Sequence, residues 1–259
     1  MIMVELFMLG SGSRGNSTLI RSHEAAILID AGLSARQIAL RMASGGHDPA
    51  ALSAILVTHE HRDHIAGVGV FTRRYPTVVM GNDATLTAAA PCLDGVPHET
   101  FTTGEEITVG PFTIRTFAIP HDAAAPVGMT IAVDGHTIGY ATDLGHVPVP
   151  VLRALEGAEL VILESNHDRD LLRTGPYPRF VKDRIASESG HLENGIAAGV
   201  AVHLAGHGTR RFILAHLSET NNTPARARTA VVDALQEAGI EGVDVQIGRQ
   251  NSPVPGIVL

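Results

Sequence analysis

Ala54-Ile-Leu-Val-Thr58 runs without a break into His59-Glu-His-Arg-Asp-His64. The first half is a short apolar run and reads as a buried strand. The second half packs three His and one Asp into six positions, at the strand's end, where α/β folds place their sites. His59 and His61 are two apart and face the same side of an extended turn. Asp63 and His64 open the next helix and turn towards a second point nearby. One loop can therefore offer two ligand pairs to two metal ions. The competing reading is a solvated polar loop that happens to be rich in His, and its position flush against a buried strand argues against that. Zinc, manganese and iron(II) all accept imidazole with carboxylate, so ligand type leaves the metal open.

Around this segment the chain alternates short apolar runs with helical patterns. Strands are expected at Met3–Leu9, Thr18–Arg21 and Ala26–Asp30, then a helix over Ser34–Ser44 with Ser34 as its N-cap. The helix after the His-rich loop is expected to reach Tyr75, followed by strand Val78–Met80 and helix Asp83–Ala90, stopped by Pro91. Glu106–Val109, Phe112–Ile119, Val127–Val133 and His136–Thr142 read as strands. The last third alternates helices at about 148–157, 178–187, 191–206 and 224–239 with strands at 159–164, 211–216 and 243–247. Strands with helices following in both halves predict two sheets packed face to face with helices outside, a four-layer αββα sandwich. Short connections predict one domain over 1–259. Three more ligand-type residues fall at strand ends: His121 after Phe112–Ile119, Asp143 after Ile138-Gly-Tyr-Ala-Thr142, and His216 after Phe212-Ile-Leu-Ala215.

Composition narrows the function class. With 44% hydrophobic and 18% charged residues, the 259-residue chain can fill a core, and disorder is excluded as the default. A net charge of −8 excludes a protein that coats nucleic acid, though not a local basic groove. The single Cys92 excludes an internal disulfide and a multi-Cys metal site, and it fits a reducing cytoplasm. Any metal must be held by imidazole and carboxylate, and 14 His make that feasible. Met1–Gly10 carries Glu5 and lacks a basic flank, so it reads as a first strand and not a signal peptide. No run approaches the roughly 18 apolar residues of a membrane span, so no membrane partner is expected.

HxHxDH followed by an isolated His, then Asp, then His resembles the motif series of the metallo-β-lactamase fold hydrolases. The likeness extends into the YycJ/WalJ-like branch of that family. It is carried by Gly10-Ser-Gly-Ser-Arg-Gly-Asn-Ser-Thr18, Leu28-Ile-Asp-Ala-Gly-Leu-Ser34, Pro120-His-Asp-Ala123 with Pro126-Val-Gly128, and Gly139-Tyr-Ala-Thr-Asp-Leu-Gly145. It continues in Glu164-Ser-Asn-His-Asp168, Gly175-Pro-Tyr-Pro178, Gly190-His-Leu192 and His216-Leu-Ser-Glu219 with Asn221-Asn222. Glu193 stands where the branch's pattern has Ser. The resemblance implies an αββα fold, two divalent metal ions (zinc or manganese) and phosphodiester hydrolysis, including 5′→3′ exonuclease activity on DNA. A hydroxide held between the ions would attack the scissile phosphate. It further implies that His59, His61 and His121 hold one ion, that Asp63, His64 and His216 hold the other, and that Asp143 bridges. Asp30 would support the site from behind, with a plain helix N-cap as the competing reading. Asp63 and His191 are the implied catalytic residues.

Other residues carry expectations of their own. His191 is expected at a helix start, in a Gly-His context like that of ribonuclease Z-type relatives, where such a His contacts phosphate. His167 admits ligand-adjacent, substrate-contacting and structural readings alike. The Gly10–Thr18 loop could present backbone N–H groups and Asn16 to phosphate. Between Asp168 and Arg184 lie Arg169, Arg173, Arg179, Lys182 and Arg184, with Tyr177 and Phe180 interleaved. Such a strip suits a DNA backbone, with Arg173, Arg179 and Lys182 as contacts, although a solvated amphipathic helix looks similar. The remaining His residues read as structural or surface. A small-molecule hydrolase on the same fold, acting on a cyclic phosphodiester, thioester or lactone, is the alternative reading. Iron redox chemistry is disfavoured by His61 at the middle ligand position. A non-enzymatic partner would be expected to lose ligands, and all seven are present.

Overall fold

The computed structural model describes residues 3–254 and 256–259, and in it the apolar runs pair into two seven-stranded sheets. In chain order the strands are β1 (Glu5–Gly10), β2 (Ser17–Arg21), β3 (Ala26–Ile29), β4 (Leu52–Leu56), β5 (Val78–Asn82), β6 (His98–Phe101) and β7 (Glu106–Val109). They continue with β8 (Phe112–Ala118), β9 (Val127–Val133), β10 (His136–Ala141), β11 (Leu160–Glu164), β12 (Arg211–Ala215), β13 (Asp244–Ile247) and β14 (Ile257–Val258). The helices are α1 (Ala35–Ser44), α2 (Arg62–Ile65), α3 (Val68–Arg74), α4 (Asp83–Ala88), α5 (Val149–Leu155), α6 (Arg169–Thr174), α7 (Arg179–Ile185), α8 (Asn194–Gly206) and α9 (Pro224–Glu237). One sheet has the order β14-β1-β2-β3-β4-β5-β6, the other β13-β12-β11-β10-β9-β8-β7. Strands β3 to β6 are parallel in the first, and β10 to β13 in the second.

Side-chain alternation along the strands builds the layers. In β3, Ile27 and Ile29 enter the core between the sheets, while Ala26 and Leu28 join the outer core. In β11, Leu160 and Ile162 point inward and Val161 and Leu163 point out to the helices. Both faces are buried, which is why these strands read as unbroken apolar runs. Ile38, Met42, Phe71 and Leu86 from α1, α3 and α4 cover one sheet. Val151, Leu155, Ala201, Leu204 and Val231 from α5, α8 and α9 cover the other. This is the expected αββα sandwich.

Three departures from expectation matter for the site. The strand expected to reach Thr58 ends at Leu56, and the Thr58 N–H donates instead to Asp30 Oδ1 at 2.8 Å. The helix expected to run to Tyr75 is two helices, α2 and α3. Gly67 breaks it: its N–H donates to the Ala31 carbonyl at 2.8 Å, and it lies so close to the Leu33 carbonyl that a Cβ would not fit. His191 does not start a helix, since α8 begins at Asn194. The preceding residues are held extended by other bonds: Leu192 N–H to Glu164 Oε2 at 3.1 Å and His191 N–H to the Ile185 carbonyl at 2.9 Å. Strands β6 and β14 and helix α6 had no sequence signal. The remaining boundaries shift by no more than two residues. Among the described residues no helix is long and apolar enough to cross a membrane.

Candidate active site

The carboxyl ends of β3, β4, β8, β10, β11 and β12 converge at one end of the sandwich. Asp30, Asp143 and His216 leave β3, β10 and β12 with φ of 58°, 62° and 53°. Left-handed backbone is uncommon in non-glycine residues, and its concentration at one place marks a site whose geometry is enforced by its surroundings. The turn carries each side chain off its ladder and into the space where the strand ends meet.

The imidazoles there share one way of being held. His64 Nδ1 donates to the Asp30 carboxylate at 2.7 Å, and His121 Nδ1 donates to the Gly190 carbonyl at 3.1 Å. His216 Nδ1 donates to Glu164 Oε1 at 3.1 Å. The Thr58 hydroxyl donates to Asp30 at 2.9 Å, so its oxygen accepts from His59 Nδ1 at 3.0 Å. Each ring is thereby oriented with Nδ1 on its partner and Nε2 pointing into the cluster, the arrangement in which His ligates metal. Asp30, fully buried, anchors two of these four rings, directly or through Thr58, and Ser34, not Asp30, caps α1.

The inward-facing atoms meet in sets. His121 Nε2 lies 3.2 Å from His61 Nδ1, and His216 Nε2 lies 3.3 Å from Asp63 Oδ2. His64 Nε2 is 3.3 Å from Asp143 Oδ2. His59, His61 and His121 bring ligand atoms within 4.8 Å of one another, as do Asp63, His64 and His216, and His59 and His64 with Asp143. His59 Nε2 is buried with no hydrogen-bond partner, a costly state for a protein interior unless a ligand completes it. Charge points the same way. Burial opposes the charge on His216, yet Asp143, Asp63 and Glu164 push it up to about 10. His64, equally buried, is held well above the ordinary histidine value by Asp143 and Asp30. His59 is driven well below that value by burial and by His64. A pocket that forces protons onto two buried imidazoles while keeping a third bare is short of positive charge. The donor set fits divalent cations, and the cluster is a divalent-metal-binding site.

Glu164 lies within one of the family-like motifs but is not among the expected site residues. It ends β11 fully buried and accepts four bonds: from the N–H groups of Leu144 (2.9 Å) and Leu192 (3.1 Å), from His216 Nδ1 (3.1 Å) and from His191 Nδ1 (2.8 Å). The one available signal is a carboxylate closing a fully apolar strand, the position type of Asp30. His191 therefore reaches the cluster from an extended segment, its ring centred 5.2 Å from His121 and 5.1 Å from His216. Burial works against its charge, but Glu164 outweighs burial and holds its pKa above the ordinary value.

The other expected residues divide. Asn16 is buried and committed to the cluster: its Oδ1 accepts from Gly12 N–H at 2.8 Å and its Nδ2 lies 3.0 Å from His64 Nε2. It is not free to meet a phosphate in the way expected. His167 is buried and its pKa falls to about 4, burial prevailing over the pull of Glu164. With His191 it lines a cleft of about 410 Å³ that also takes in Arg169, Arg173, Arg179 and Lys182. Arg184 stands apart from that cleft and pairs with Asp122, next to His121, at 2.6 Å.

Residues 25–217 match the family described as the Beta-lactamase superfamily domain. The chain is 35% identical over 246 residues to exodeoxyribonuclease WalJ of Streptococcus pneumoniae, covering 93% of this chain and 91% of that protein. It is likewise 35% identical over 235 residues to exodeoxyribonuclease YycJ of Bacillus anthracis, covering 90% and 89%. The crystal structure of the metallo-β-lactamase fold protein YhfI from Bacillus subtilis superposes with a TM-score of 0.74 over 99% of both chains at 22% identity, a likeness of fold. With two sheets, a His/Asp cluster at their shared end and a matched span that includes every candidate ligand, the chain belongs to the β-lactamase superfamily and has the metallo-β-lactamase fold.

Proposed function

We propose that this protein is a dinuclear metal-dependent phosphodiesterase that degrades DNA as a 5′→3′ exonuclease. The observation that carries the reading is the pair of three-ligand groups, with Asp143 beside both and His191 at their edge. His59, His61 and His121 would hold one ion, Asp63, His64 and His216 the second, with Asp143 between. Divalent cations held there supply Lewis acidity, polarising a phosphodiester and lowering the pKa of water. Asp30, Thr58 and Glu164 keep the ligand rings aimed. His191, its Nδ1 held by Glu164, which favours the charged ring, presents its other ring nitrogen and can give a proton to the departing strand oxygen. The exodeoxyribonuclease relatives support DNA as substrate, and the four cationic side chains of the adjoining cleft favour a polyanion over a thioester or lactone.

The test is metal-free protein reloaded with zinc or manganese, assayed on DNA labelled at either end and on small esters. Metal content should approach two equivalents, with label released first from the 5′ end. A content that stays below one equivalent after reloading overturns the dinuclear reading, and activity confined to thioesters or lactones overturns the nuclease. Asp143→Asn should weaken both equivalents together, because one carboxylate serves both groups.

A further inference from the structure

The cleft that carries His167 and His191 is a separate space from the metal cluster, with His191 common to both. At about 410 Å³ it sits near the lower end of the roughly 300–1,000 Å³ usual for small-molecule sites. Its walls are α6, α7 and the first turn of α8, and they carry two kinds of surface. Leu172, Ala186 and Ile196 give an apolar floor, and Ile196 is left 44% exposed there. Cations line the sides. Arg173 is paired with Asp170 at 3.1 Å and Arg179 with Asp183 at 3.6 Å, and the Lys182 ammonium donates to the Arg173 carbonyl at 2.9 Å. Arg169, exposed at the first position of α6, makes no ion pair among the described residues. Asp183 and Glu193 supply acceptors on the same walls, so the cleft is not uniformly cationic.

An apolar face, a guanidinium with no ion pair and nearby carboxylate acceptors match the three parts of a nucleotide: base face, phosphate and base amino group. We propose that this cleft is a subsite for one unpaired nucleotide at the end of a DNA strand. Its base lies on the Leu172–Ala186–Ile196 floor, and its phosphate is drawn by Arg169. The inference rests on the phosphodiesterase reading above and names the part of DNA that the site grips. A base inside a duplex has both faces stacked and cannot use such a floor, whereas a base splayed out of the stack can. Because His191 lines both spaces, a nucleotide whose terminal phosphate is drawn by Arg169 leaves the phosphodiester that joins it to the next nucleotide beside His191, at the edge of the metal cluster. A matched terminal base pair must then fray before it is cut.

Ala186 is exposed at the end of α7, so Ala186→Trp fills the cleft without touching the core. With manganese-loaded protein, the ratio of the rate on a single-stranded oligonucleotide to that on bis(nitrophenyl) phosphate should fall by roughly 10-fold, the order expected for losing one base face's contact with aliphatic side chains. Wild-type protein should also release the terminal nucleotide of a duplex faster when the last pair is mismatched than when it is matched. An unchanged ratio in Ala186→Trp, or equal rates on matched and mismatched ends, overturns the subsite while leaving the phosphodiesterase intact. Wild-type protein that hydrolyses neither substrate overturns both. Should Ala186→Trp melt well below wild type, Arg169→Ala is read in its place and must lower the same ratio.

Discussion

At the scale of single residues, His191 and His216 share one carboxylate, and the difference between their rings decides what each can do. The His216 Nε2 faces Asp63, inside the ligand set, whereas His191 is 23% exposed at its edge. His191→Ala is therefore expected to keep its metal and lose activity on DNA by roughly 10²–10⁴-fold, the usual worth of a positioned general acid. The loss on a nitrophenyl phosphodiester should be much smaller, because that leaving group needs little protonation. Equal losses on both substrates would instead assign phosphate binding to His191, and a missing metal equivalent would make it a ligand. Glu164→Gln should behave differently and weaken metal retention too, since it also orients His216. The seven candidate ligands are legible in the sequence because His and Asp stand at the ends of apolar runs. Glu164 is not, because a carboxylate that closes a strand reads as a solvated end until its burial and four donors are known.

At the scale of elements, Ile27 to Ile29 and Leu160 to Leu163 alternate between two apolar cores, so the strands are visible in the sequence as short unbroken apolar runs bounded by turns. The start of α8 is not, because Gly190-His-Leu192 has the look of a helix start, while Glu164, distant in sequence, takes the Leu192 N–H. Helix α6 is six residues long, too short to show a period, and it is set by the Asp168 side chain accepting from the N–H groups of Asp170 and Leu171. Helices α6 and α7 carry the basic strip. Arg173 and Arg179 pair with carboxylates, and Lys182 donates to a carbonyl that leaves its charge unneutralised; all three line the cleft and can take a phosphate as partner at little cost. Replacing the three by Ala together is expected to weaken binding of single-stranded DNA. It should also flatten the slope of log K against log salt by up to about 2, at roughly 0.7 for each phosphate no longer neutralised. Hydrolysis of a nitrophenyl phosphodiester should change little. An unchanged affinity and slope would reduce the strip to a solvated face.

At the scale of the whole molecule, the candidate ligands straddle the two sheets. His59 to His64 hang from β4 in the first, while His121, Asp143 and His216 hang from β8, β10 and β12 in the second. Cations bound there tie together the ends of two layers that are otherwise joined by the apolar core between them, in which Ile29 and Leu56 meet Ile131 and Ile213. That core does not depend on metal, so chelated protein should stay folded by far-UV circular dichroism. It should nonetheless melt earlier. One site held at a free metal concentration 100 times its Kd contributes about 2.7 kcal/mol. At about 2–4 °C per kcal/mol for a domain of this size, chelation should lower Tm by about 5–11 °C, and by more if both ions are lost. The sign with pH follows from the protons that metal must displace. His216, pushed up to about 10 without a cation, holds a second proton at neutral pH, and Asp143 and Asp30 draw His64 in the same direction. Metal binding expels those protons, so the gap between metal-loaded and chelated Tm should narrow as pH falls from 8 to 6. Asp143→Asn should shrink the gap at every pH. A chelator that leaves Tm unmoved across that range would mean that the buried imidazoles and carboxylates balance one another without a cation, and the metal reading of the cluster would fall.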